Sequence, residues 1–207
     1  MNERTKLTAF TSPVGWAVFP WLSKVDTRFN PDGIYKTQLA VPEAEAASFI
    51  SFLEGELEKY RSTLDASRSK WNTAALYEPQ YTYPVFEKGM SDMEKDAIRR
   101  EFQPEPTGNL LFKFKLNAKV TPRDPNKEGF TQAPIIVSAD TGAAVTDPVF
   151  GGSVIRIKGQ VAPYAAPASR TIGLTLRMRA IQVIELVTGG TSEGGAGFWT
   201  DFSDGAE

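Results

Sequence analysis

Cations spaced along apolar runs, with aromatic rings close by, are the groups in this chain with chemistry to offer. Arg156 and Lys158 alternate with apolar residues in Val154-Ile155-Arg156-Ile157-Lys158-Gly159-Gln160-Val161, and Arg177 does the same in Ile172-Gly173-Leu174-Thr175-Leu176-Arg177-Met178. A turn-rich loop carrying Tyr164 and Arg170 joins the two runs. Two β runs joined in this way present a surface suited to a polyanion with exposed flat rings. Unpaired nucleic acid is such a polymer, because cations track its phosphates and aromatic faces stack on its bases. The plainer reading is an ordinary hairpin with solvated arginines.

The same combination recurs twice. Lys113 and Lys115 alternate with Leu110, Phe112, Phe114 and Leu116, so one strand face is apolar and the other basic. Trp16, Phe19 and Trp21 cluster beside Lys24 and Arg28. Large aromatics are mostly buried, so core packing is expected for one or two of these three.

The chain has 207 residues with no histidine and no cysteine. The usual general base near neutral pH, the commonest metal ligand, disulfides and thiolate sites are therefore all missing. A carboxylate-only magnesium nuclease stays open in principle, but Asp124, Glu128 and Asp140 stand in turn-rich segments and no motif joins them. No catalytic residue, metal or cofactor is expected. No apolar run reaches membrane-spanning length. The first residues lack the apolar core of a signal peptide, so cytoplasmic residence is the expectation.

The net charge of -2 hides an uneven distribution. Residues 42–106 hold 8 basic and 13 acidic residues, and residues 188–207 hold four acidic and no basic ones. The remainder carries +7. A basic β-rich body joined to acidic parts keeps a polyanionic partner possible despite the low global pI.

The elements that must position these groups read as follows. Residues 8–20 form a first strand, Asn30-Pro31-Asp32-Gly33 is a turn, and 34–41 form a strand with Tyr35, Thr37, Leu39 and Val41 on one face and Lys36 and Gln38 on the other. Pro42 starts a helix whose stripe is Ala46, Phe49, Ile50, Leu53, Leu57, Tyr60 and Leu64. Residues 78–86 read as extended loop. Ser91-Asp92-Met93-Glu94 is a capping box opening a short helix to about Phe102. Strands follow at 110–120, 133–138, 154–161 and 172–186. The fold class is mainly β with a helical insertion: an OB-fold-like antiparallel barrel of five to six strands, with a long helix outside it. Residues 1–187 form one domain with its insertion at 43–106.

Residues 188–207 read as a flexible tail, glycine-rich and then acidic and aromatic. Phe198, Trp199, Asp201, Phe202 and Asp204 have no core to enter, so a docking peptide is the physical reading of that end. An alternative function follows: a protein-interaction scaffold that recruits partners through this tail.

Several blocks, in order and spacing, resemble the single-stranded DNA-binding proteins of T7-type bacteriophages. They are Gly33-Ile34-Tyr35-Lys36-Thr37-Gln38-Leu39-Ala40-Val41-Pro42, Phe112-Lys113-Phe114-Lys115, Val149-Phe150-Gly151-Gly152-Ser153, Val161-Ala162-Pro163-Tyr164, Gly173-Leu174-Thr175-Leu176 and Val183-Ile184-Glu185-Leu186. The resemblance implies an OB-fold with a helix outside the barrel that binds single strands without sequence preference in phage replication and recombination. It also implies an acidic tail that meets a replication polymerase or helicase and competes with DNA, a possible homodimer, and a stacking role for Tyr164. On this reading Lys113, Lys115, Arg156, Lys158, Arg170 and Arg177 follow phosphates, while Tyr164, then Trp16 and Phe19, stack on bases.

Overall fold

The computed structural model describes residues 7–87, 89–122, 126 and 128–188. Phe198, Trp199, Asp201, Phe202 and Asp204 of the expected tail lie outside the described residues, as does Asp124. The elements in chain order are β1 (Ala9–Thr11), β2 (Gly15–Asp26), β3 (Ile34–Pro42), helix α1 (Glu43–Ser62), β4 (Asn72–Thr73), β5 (Glu78–Tyr81), helix α2 (Asp92–Glu101), β6 (Pro106–Asn117), β7 (Lys119–Val120), β8 (Phe130–Thr131), β9 (Ile135–Ser138), β10 (Val154–Ala166) and β11 (Thr171–Glu185).

Strands β2, β3, β6, β11 and β10 pair in that order, and β10 returns to β2. The ring is closed and OB-fold-like, as expected. Strand direction must alternate all the way round an antiparallel ring, which needs an even number of members. Five members therefore require one parallel pair. It is β6 with β11, where Leu176 lies beside Phe114 and Arg177 beside Lys115. No local pattern in either strand announces that pairing.

Inward alternation fills the ring with Leu39, Val41, Phe112, Phe114, Ile155, Ile157, Met178 and Ile181, all shielded from solvent. Burying each such side chain stabilises the fold by roughly 1.5–3 kcal/mol. Helix α1 lies outside the ring and covers the core with Ala46, Phe49, Leu53 and Leu57. Its Phe49 ring centre stands 5.2 Å from that of Phe112 and 5.8 Å from that of Phe10. Acidic Glu43 and Glu45 open the helix and Lys59 and Arg61 close it, matching its dipole. The expected capping box is present at α2: the Ser91 N–H donates to Glu94 Oε2 at 2.7 Å, and the Glu94 N–H donates to Ser91 Oγ at 3.4 Å.

Four stretches differ from the sequence reading. The expected loop from Pro163 is strand as far as Ala166, because those residues keep pairing with β11, so Tyr164 stands on β10. The strand expected over 110–120 stops at Asn117, and Lys119–Val120 pairs instead with Phe130–Thr131. Residues 8–20, read as one strand, split into β1 and a β2 that runs on to Asp26. The break falls at buried Ser12, whose Oγ accepts from the Ile157 N–H at 2.9 Å. Strand β2 passes Pro20 because its register against β3 slips between Val18 and Trp21, and a slip is where a strand tolerates proline. Residues 78–81, read as loop, form β5 against β6. Four residues that include Pro79 carry no legible period, and only the open edge of β6 recruits them.

The turn at Asn30–Gly33 forms as read. The Gly33 N–H donates to the Asn30 carbonyl at 2.8 Å with φ at 76°, and a Cβ there would collide with Val25.

Candidate nucleic-acid interface

Residues opposed on neighbouring strands share a face. On the outer wall one row therefore runs Trp21 (β2), Lys36 (β3), Lys115 (β6), Arg177 (β11) and Gln160 (β10). A second row is Val18, Gln38 and Lys113, and a third is Trp16, Ala40, Leu111 and Glu78. Neighbouring strands lie about 4.8 Å apart, so three consecutive cations in the first row make a dense positive band.

The cations of that band are not equivalent. Lys36 Nζ stands 2.7 Å from Asp26 Oδ2, and the Asp26 carboxylate is 2% exposed. Asp26 also accepts from Arg28 Nε at 3.0 Å, Arg28 Nη2 at 3.1 Å and the Arg28 backbone N–H at 3.0 Å. The Arg28 guanidinium, and then Lys36, hold the Asp26 carboxyl well below the usual carboxylate range. Arg28 also lies over two rings, 4.6 Å from the centre of Trp21 and 5.9 Å from that of Phe29. In the second row Lys113 Nζ meets Glu78 Oε1 at 2.6 Å. Lys115 and Arg177 have no ion-pair partner among the described residues.

Tyr164 faces Gly173 across the β10–β11 hairpin. A Cβ on Gly173 would come within 2.6 Å of Tyr164 Oη and 2.7 Å of Cζ, so the ring lies across bare backbone. It still leaves 37% of the residue exposed. Gly173 stands four residues before Arg177 on β11, about 13 Å along the strand. Arg170 ends the hairpin turn at φ 48°, exposed, with its carbonyl accepting from the Asn72 N–H at 3.0 Å. Tyr164, Arg177, Lys115 and Lys113 thus lie along β10, β11 and β6, with Arg170 at the hairpin tip.

The other sequence candidates fall elsewhere. Arg156 and Lys158 face outward from β10, opposite Gln182 and Ala180. They stand eight and six residues before Tyr164 on the same strand, toward the end where Val154 and Ile155 pair with β2. Lys158 is exposed, whereas Arg156 is half-buried and its Nε has no hydrogen-bond partner among the described residues. Trp16 is half-buried and packs over Val18, Ala40 and Leu111 on the outer wall. Phe19 is 50% exposed at φ 47° and meets Tyr83 edge-on at 6.0 Å. Sequence reading did not select Lys36 or Phe29. Lys36 was within reach, because it alternates outward between Tyr35 and Thr37 as Lys113 does between Phe112 and Phe114. The Asp26 pairing was out of reach, since it needs the β2–β3 register.

The fold is shared with solved phage proteins. The crystal structure of gp2.5, a single-stranded DNA-binding protein encoded by bacteriophage T7, matches at TM-score 0.64 and 21% identity, covering 98% of this chain and 98% of that one. The single-stranded DNA-binding protein from bacteriophage Enc34, in complex with single-stranded DNA, matches at TM-score 0.53 and 8% identity over 88% of this chain and 89% of that one. Its C-terminally truncated form matches at 0.53 and 9% over 88% of each chain. No protein-family model and no curated protein matches the sequence.

Proposed function

We propose that this chain binds single-stranded DNA without sequence preference, over the outer wall of β6 and β11 and the adjoining end of the β10–β11 hairpin. One observation carries the reading: Lys115 and Arg177, side by side and without ion-pair partners among the described residues, stand on the same wall of an OB-fold-like barrel as the exposed Tyr164. The two cations take consecutive phosphates and Tyr164 stacks on a base. Lys113 and Arg170 extend the track, while Arg156 and Lys158 add positive field from β10. Phosphate contacts and ring stacking discriminate little among bases, so sequence tolerance follows.

Binding of this kind serves to protect unpaired strands during phage DNA replication and recombination, in the host cytoplasm. Residues 1–187 act as the binding unit. The tail, through Phe198, Trp199, Asp201, Phe202 and Asp204, contacts a replication polymerase or helicase and competes with DNA for the basic wall. Two copies pair as a homodimer.

Fluorescence titration with a thymidine homopolymer at several salt concentrations tests the core of this proposal. The expected result is affinity that falls linearly on a log–log plot, because counterions are released from each neutralised phosphate. An affinity that ignores salt ends the phosphate track. Deleting residues 188–207 should leave DNA binding equal or tighter, and weaker binding by the shortened chain would remove competition from the reading.

A further inference from the structure

The band of cations has a ring at one end in Tyr164, and the turn between β2 and β3 presents another at its opposite end. Phe29 is 89% exposed, its ring almost wholly in water. Arg28 lies 5.9 Å from its centre and is itself clamped by Asp26 and stacked over Trp21. Trp21 heads the row that continues through Lys36 and Lys115 to Arg177. The ring is thus presented to solvent beside a guanidinium that already has its carboxylate.

We propose that Phe29 is a second base-stacking platform, so that one single strand runs from Tyr164 along β11 to Arg177, then across β6 and β3 to Phe29. This rests on the single-strand reading above and adds its path and length. The occupant is an unpaired base, chosen because the charged band leading to this ring is positive, and a polyanion is what such a band guides. Three strand steps of about 4.8 Å and about 13 Å along β11 make roughly 27 Å from Gly173, under the Tyr164 ring, to Trp21, and Arg28 over the Trp21 ring leads on to Phe29. The two rings mark the ends of the site.

The test is Phe29→Ala in the full 207-residue chain, titrated against thymidine homopolymers of increasing length, with Phe29→Trp as companion. Loss of one stack is expected to weaken binding to a long strand about five-fold or more. A strand too short to reach from Tyr164 to the turn should lose less than two-fold. Phe29→Trp should retain affinity, and its emission should be quenched by the strand. The thermal midpoint should not move, since the ring has almost no packing to lose. Unchanged affinity of Phe29→Ala for long strands, with the unmodified chain binding normally, overturns the inference alone. A change in sedimentation without a change in affinity does the same and makes the ring a contact between copies. Failure of the unmodified chain to bind any strand would instead remove the single-strand reading.

Discussion

Lys36 and Lys115 are direct neighbours across β3 and β6, both facing outward, yet they offer a polyanion different things. Lys36 already holds the carboxylate of Asp26, which is nearly closed off from solvent. Taking a phosphate would leave Asp26 with one cation fewer, and a shielded carboxylate that loses a partner is penalised. Lys115 has no carboxylate to give up among the described residues, and its neighbour Arg177 is in the same position. Two residues along β6, Lys113 falls between these cases, with a surface partner in Glu78 and half its side chain in water. A cation's worth to a ligand depends on what it must release first, and counting lysines on a face misses this.

The largest effect on binding should come from Lys115→Gln combined with Arg177→Gln. The salt slope should fall by about 1.4, roughly 0.7 for each phosphate of a single strand no longer neutralised, with the thermal midpoint unchanged. Tyr164→Ala comes next, weakening binding about five-fold or more by loss of one stack while the midpoint holds within a few degrees. If that variant unfolds instead, the ring belongs to the packing over Gly173. Lys36→Gln sharpens the contrast, because it should leave the salt slope nearly where it was and lower the midpoint. A slope change equal to that of Lys115→Gln would erase the distinction between the two lysines. Glu78→Gln should have the smallest effect on affinity, a gain of at most about five-fold, since an exposed ion pair is worth roughly 0–1 kcal/mol.

Acid should act on stability through the carboxylate that Lys36 and Arg28 hold. Partners depress the carboxyl of Asp26 in the folded chain, so its ionised form favours folding. That contribution is complete above the unfolded carboxylate's pKa of about 3.9 and is lost as pH falls below it toward the depressed folded value. Thermal unfolding followed from pH 6 to pH 2 should therefore show stability falling below about pH 4. Asp26→Asn should be less stable at neutral pH and show a shallower acid decline. An identical acid profile in that variant would place the pH sensitivity elsewhere.

Legibility in the sequence tracked the range of the interaction. Alternation from Leu110 to Leu116 and from Tyr35 to Val41 announced which side chains go in and which cations go out, and the lysines on both strands do face outward. The stripe Ala46, Phe49, Leu53 and Leu57 and the Ser91–Glu94 box announced the two helices. Strand β5 stayed hidden because its four residues take their conformation from the edge of β6. The strain at Phe19 stayed hidden because it comes from a register slip against β3.

Local chemistry written along the chain therefore determined the β-rich body, the helices, the turn at Gly33 and the outward face of each lysine, because periodicity, capping and φ preferences act within a few residues. Tertiary structure decided the parallel closure of β6 on β11, the row that joins Lys36, Lys115 and Arg177, and the capture of Lys36 by Asp26. Each of those depends on which strand lies beside which and in what register, and ring closure sets both only when the whole chain has folded.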